Sequence, residues 1–70
     1  MEVYLSDFSQ GNIRAFVTQD QARSFLVDIP QYRLSLTLVE EEEEWRCSQS
    51  SGIYNPAWIN EIVWQIRQII

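Results

Sequence analysis

Five glutamates stand in an unbroken run, Glu40 to Glu44, and they hold half of the ten carboxylates in this 70-residue chain. An extended backbone turns alternate side chains to opposite sides, so no more than three of the five share a face. A calcium site needs oxygens converging at about 2.3–2.6 Å, usually from a turning loop, and the EF-hand spacing is missing. The chain has no histidine and a single cysteine, Cys47, so zinc ligation is not expected either. Without histidine there is no Ser-His or Cys-His pair. Cys47 follows Arg46, which favours a thiolate, but four glutamates lie close by and oppose one, and the acidic side dominates by count. No Walker loop or GxGxxG pattern cradles a phosphate. A carboxylate pair of the glycosidase kind needs a pocket that a larger scaffold encloses. The chain therefore reads as no enzyme, with no cofactor and no metal.

The glutamates have two other uses. One is a solvated hairpin tip that deters edge-to-edge aggregation. The other is an electrostatic docking site for a basic partner protein. Nucleic acid is not an expected partner. The net charge is −5, and the five basic residues, Arg14, Arg23, Arg33, Arg46 and Arg67, are scattered rather than gathered into a basic patch. Anionic membrane surfaces are disfavoured for the same reason. No apolar run approaches the roughly 18 residues of a membrane span, and the first residues do not read as a signal peptide. A lone cysteine without an export signal points to the cytoplasm.

Seventy residues provide for one domain, 1–70. It has no disulfide or metal to staple it, so a packed core must carry its stability. Alternation of apolar and polar residues predicts strands over 2–6 and 12–18, joined by a turn cluster between Asp7 and Asn12. A third strand spans 32–40, with Tyr32, Leu34, Leu36 and Leu38 on one face. Both faces become charged at Glu40, so the chain is expected to leave the core there. A return strand over 44–48 is the option that leaves three or four strands in the sheet. Thr18 and Gln21 fit a capping box, and Ala22, Phe25, Leu26 and Ile29 follow at helical spacing. Phe25, Val27 and Ile29 also alternate as in a strand. The cap and stripe together favour a short helix at 19–28, ended by Pro30.

The C-terminal helix, over 56–70, has the best start signal. Asn55 is a favoured N-cap, Pro56 suits the first helical position, and Tyr54 can pack on Ile59. At 100° per residue, Ile59, Ile62, Val63, Ile66 and Ile70 share one arc, with Ile69 and Trp58 at its edge. The fold class is thus α+β, a small antiparallel sheet packed against a C-terminal helix.

Trp64 falls outside that arc, about 160° from Ile66 and among Ala57, Asn60, Arg67 and Gln68. Either it folds onto its own chain near residues 48–53, or it anchors an interface. The leading reading is a small interaction module, an adaptor, accessory subunit or regulator, that uses Glu40, Glu41, Glu42, Glu43 and Glu44 together with Trp64. Two alternatives remain open. One is an inhibitor or nucleic-acid mimic that offers carboxylates to a basic cleft. The other is a structural homo-oligomer.

Overall fold

The computed structural model describes residues 1–7 and 11–69. Five strands form one antiparallel sheet in sequence order: β1 (Glu2–Asp7), β2 (Gly11–Gln21), β3 (Ser24–Ile29), β4 (Leu34–Glu41) and β5 (Glu44–Ser50). The helix α1 (Ala57–Ile69) follows. The α+β class is as expected, but the sheet has five strands rather than three or four. Of the turn cluster expected between Asp7 and Asn12, residues 8–10 lie outside the described residues, and Gly11 and Asn12 already belong to β2. Gly11 has φ of 78°, a left-handed conformation that glycine adopts without a Cβ clash.

The short helix expected at 19–28 does not form. Gln19 still belongs to β2, and Ser24–Ile29 is a strand. The helical stripe and the capping box lost to the alternation they competed with. As a strand, Phe25, Val27 and Ile29 all turn inward, and each is buried. The same segment pairs with β2 on one side and β4 on the other, so its backbone is bonded along both edges. A helix there would leave β2 and β4 without the strand between them.

Two further boundaries differ. Pro30 fixes its own φ and opens a single 3-10 turn, Pro30–Tyr32, closed by Arg33 in the left-handed region. Tyr32 is therefore no inward-facing strand residue. It is 40 % exposed, and its ring stacks on Trp58 at 5.8 Å. At the other end of β4 the chain does not leave the core at Glu40, which is half-buried. It pairs through Glu41, turns on Glu42 and Glu43, and returns as β5.

Val3 and Leu5, Ile13, Ala15 and Val17, then Leu34, Leu36 and Leu38 join Phe25, Val27 and Ile29 on one face of the sheet, and all are buried. Helix α1 covers that face with Trp58, Ile62, Val63 and Ile66. Each fully buried side chain of this size contributes about 1.5–3 kcal/mol. Asn55 caps the helix as expected, its Oδ1 accepting from Ala57 N–H at 3.0 Å. Trp58 is buried at the edge of the apolar arc, as its position predicts. The side chains of Ile69 and Ile70 lie outside the described residues.

The helix lies nearest to β1 and then to β5, the two outer strands, so the sheet curls around it. The two edges are treated differently. On β1, every outward backbone group of Tyr4 and Ser6 meets a helix side chain. Gln65 accepts from Tyr4 N–H at 3.0 Å and donates to Tyr4 C=O at 2.7 Å. Glu61 accepts from Ser6 N–H at 3.2 Å, and the Trp58 indole donates to Ser6 C=O at 3.0 Å. Four helical residues rise about 6.0 Å, and two strand residues about 6.7 Å. That near match lets Glu61 and Gln65 follow Ser6 and Tyr4 in antiparallel order. No described helix side chain makes such bonds to β5.

The β4–β5 turn carries backbone strain. Glu42 and Glu43 have φ of 51° and 68°. Two positive φ values in a two-residue loop define a type I′ turn, which favours Asn-Gly. Left-handed backbone costs an L-residue about 1–2 kcal/mol. Glu42→Asn with Glu43→Gly is expected to stabilise the fold by about 1–2 kcal/mol, read from urea unfolding. An unchanged or lowered midpoint would show that the turn is not strained.

Candidate functional site

The acidic run sits on the β4–β5 hairpin and is divided between the two faces of the sheet. Glu40 follows Leu34, Leu36 and Leu38 in strand parity and turns toward the helix side, half-buried. Glu41 turns to the outer face and accepts from the Arg46 guanidinium at 2.9 Å. This bond raises Arg46 above its ordinary pKa. Both partners are mostly exposed, so the pair orders the hairpin more than it stabilises the fold. Glu42 and Glu43 form the tip, and Glu44 begins β5. Among the described residues, Glu40, Glu42, Glu43 and Glu44 have no ion-pair partner. No described group of three or more His, Cys, Asp or Glu side chains could hold a metal ion.

Glu40 lines a cleft at the hairpin end of the curled sheet with Gln19, Ala22, Phe25, Trp45, Ile66 and Arg67, about 360 Å³ in volume. Phe25 and Trp45 pack there with ring centroids 5.2 Å apart. The Trp45 indole N–H is buried and has no hydrogen-bond partner among the described residues.

Trp64 stands apart from the acids. It projects from the outer side of α1, 64 % exposed, while Ile66 two residues on is 2 % exposed. Two helical steps rotate a side chain by about 200°, which accounts for the contrast. Trp64 borders a shallow depression with Asn60, Glu61 and Gln65. Glu61 and Gln65 are held toward β1 by their edge bonds, so the tryptophan has no sheet to lie on. The structure leaves it uncovered, and it does not fold under residues 48–53.

Cys47 is half-buried beside the core, its thiol donating to Gln49 C=O at 3.1 Å. A hydrogen bond with Cys47 raises the Tyr54 phenol above its ordinary pKa, with desolvation adding to the shift. The thiol is thus part of a local polar contact with Gln49 and Tyr54.

Sequence patterning did not mark the outer face of the sheet. Tyr4, Phe16 and Leu26 are exposed there. Tyr4, Asn12, Arg14, Phe16, Pro30 and Gln31 line a depression of about 490 Å³. The Tyr4 phenol donates to Glu2, and this bond raises its pKa; Arg14 lies 3.5 Å from the same carboxylate. The available signal was the apolar residues at positions that strand parity assigns to solvent. Compared with protein-family models, curated proteins and solved structures, the chain matches none.

Ile66→Ala is expected to cost about 2–5 kcal/mol through lost burial and a residual cavity. Trp64→Ala should change stability by less than about 0.5 kcal/mol, as an exposed substitution does. Chemical denaturation of both variants checks the pair. Equal destabilisation would contradict the placement of Trp64.

Proposed function

We propose that this chain is a small protein-interaction module with no catalytic role. Its contact surfaces are the Glu40–Glu44 hairpin and Trp64 on the outer side of α1. The observation that carries the reading is the exposure of Trp64. Tryptophan has a large apolar surface to remove from water, and it is enriched among residues that dominate binding energy. Here the chain's own packing leaves it in solvent.

The hairpin supports the same reading. Glutamates occupy both left-handed positions of a turn that other residues would fill at lower cost. Strained backbone of this kind collects at functional sites. The carboxylates without an ion pair among the described residues offer a basic protein long-range attraction, which acts chiefly on the association rate. The uncompensated net charge of −5 disfavours nucleic acid as the partner. No described helix is long and apolar enough to cross a membrane.

The test is affinity capture with the wild-type chain, Trp64→Ala and the triple change of Glu41, Glu42 and Glu43 to Gln. Trp64→Ala should weaken the captured partner at least about fivefold, corresponding to a loss above 1 kcal/mol. The triple variant should slow association at low salt, and the deficit should shrink at high salt. A partner that binds all three proteins alike at every salt concentration would remove both surfaces from the account.

A further inference from the structure

The two edges of a curled sheet face the same problem. Each presents a row of backbone N–H and C=O groups with no neighbouring strand. On β1 the problem is solved at Tyr4 and Ser6 by Trp58, Glu61 and Gln65. On β5 it is not. Glu40 N–H points away from β5 and bonds Arg23 C=O at 2.9 Å. Glu40 and the Trp45 opposite it are therefore a non-hydrogen-bonded pair. The backbone groups of Trp45 then face outward, and by the same alternation so do those of Cys47, opposite Leu38. Nothing among the described residues bonds to them.

The same side of the molecule is where the core is least covered. Its partly buried apolar members are Trp45 and Cys47 on β5, and Tyr54 and Ile59 at the start of the helix. Ile53, next to Tyr54, is fully exposed. An apolar seam thus runs beside an unbonded strand edge. At its hairpin end stand four carboxylates without an ion pair among the described residues.

We infer that the outer edge of β5 receives an extended, basic segment of a partner protein as a sixth strand. This deepens, and rests on, the reading of the chain as an interaction module. Main-chain bonds form to Trp45 and Cys47. Apolar side chains of the segment, at alternate positions, cover the seam. Its cations, on the opposite face, lie against Glu42, Glu43 and Glu44 at the hairpin end. Pairing of β5 with a second copy would bring together two chains of net charge −5, and the carboxylates would find no cations.

The probe is a soluble eight-residue peptide alternating valine and lysine, titrated into the 15N-labelled chain. The expected result is chemical-shift change and slowed exchange at the Trp45 and Cys47 amides, with Tyr4 and Ser6 unchanged. A valine–glutamate peptide should not bind. N-methylation of alternate peptide residues should abolish binding on the methylated edge. Cys47→Pro should weaken it at least about tenfold, since proline removes only an outward N–H and edge strands tolerate it. The N-methylated peptide keeps the test open should that variant fail to fold. Shifts confined to the Trp64 indole would overturn the strand inference and leave the module reading standing. Absence of any shift at millimolar peptide would overturn it, as would equal binding of the glutamate peptide. Concentration-dependent dimers in sedimentation, with β5 amides protected, would make a second copy the occupant and overturn it too.

Discussion

The outward backbone of β1 needs partners, and α1 supplies them with side chains. This requirement sets much else. Gln65 and Glu61 bind Tyr4 and Ser6 only if the helix runs antiparallel to β1 at close range. That placement drops Trp58, Ile62 and Ile66 onto the buried face of the sheet. It also turns Trp64 toward solvent, because the face opposite the core is the only one left. Side-chain bonds of this kind contribute about 0.5–1.5 kcal/mol each. Burial supplies most of the energy, and the edge bonds supply the orientation.

Much of the architecture was legible from patterning. Val3 with Leu5, and Ile13 with Ala15 and Val17, alternate cleanly, and nothing competes with the strand reading. The isoleucine arc and the Asn55 cap identified the helix and its buried face. Residues 19–28 were misread because two periods coexist in one segment. Phe25 and Ile29 fit both, and the decision depends on Val27, which a helix would have turned away from the stripe. Pairing on both sides decided it, and pairing is not a local property. Tyr32 was misplaced because the 3-10 turn begun at Pro30 runs through Tyr32 and is closed by Arg33, so the strand starts two residues later than expected. Glu40 was expected to mark the exit from the core on charge alone, yet a strand end tolerates a half-buried carboxylate that opens toward solvent.

The candidate surfaces were legible to different degrees. Trp64 stood out because it breaks the periodicity of its own helix. The glutamates stood out as a run, but not their division between the two faces, which comes from the β4–β5 register. The sealing role of Gln65 left only a faint trace, a polar pair at i and i+4 beside Trp58 on the border of the apolar arc. The open edge of β5 left none, because an edge is defined by what does not pair with it. One helix seals one side of a curled sheet, and the acidic hairpin, the apolar seam and the unbonded outer edge of β5 gather on the other.

That asymmetry is most directly tested by amide hydrogen exchange, residue by residue, on the free chain at a pH where folding is complete. The account predicts slow exchange at Tyr4 and Ser6, whose amides bond to Gln65 and Glu61. It predicts fast exchange at Trp45 and Cys47, whose amides face solvent along the edge of β5. Equal protection at all four positions, or fast exchange at Tyr4 and Ser6, would contradict it.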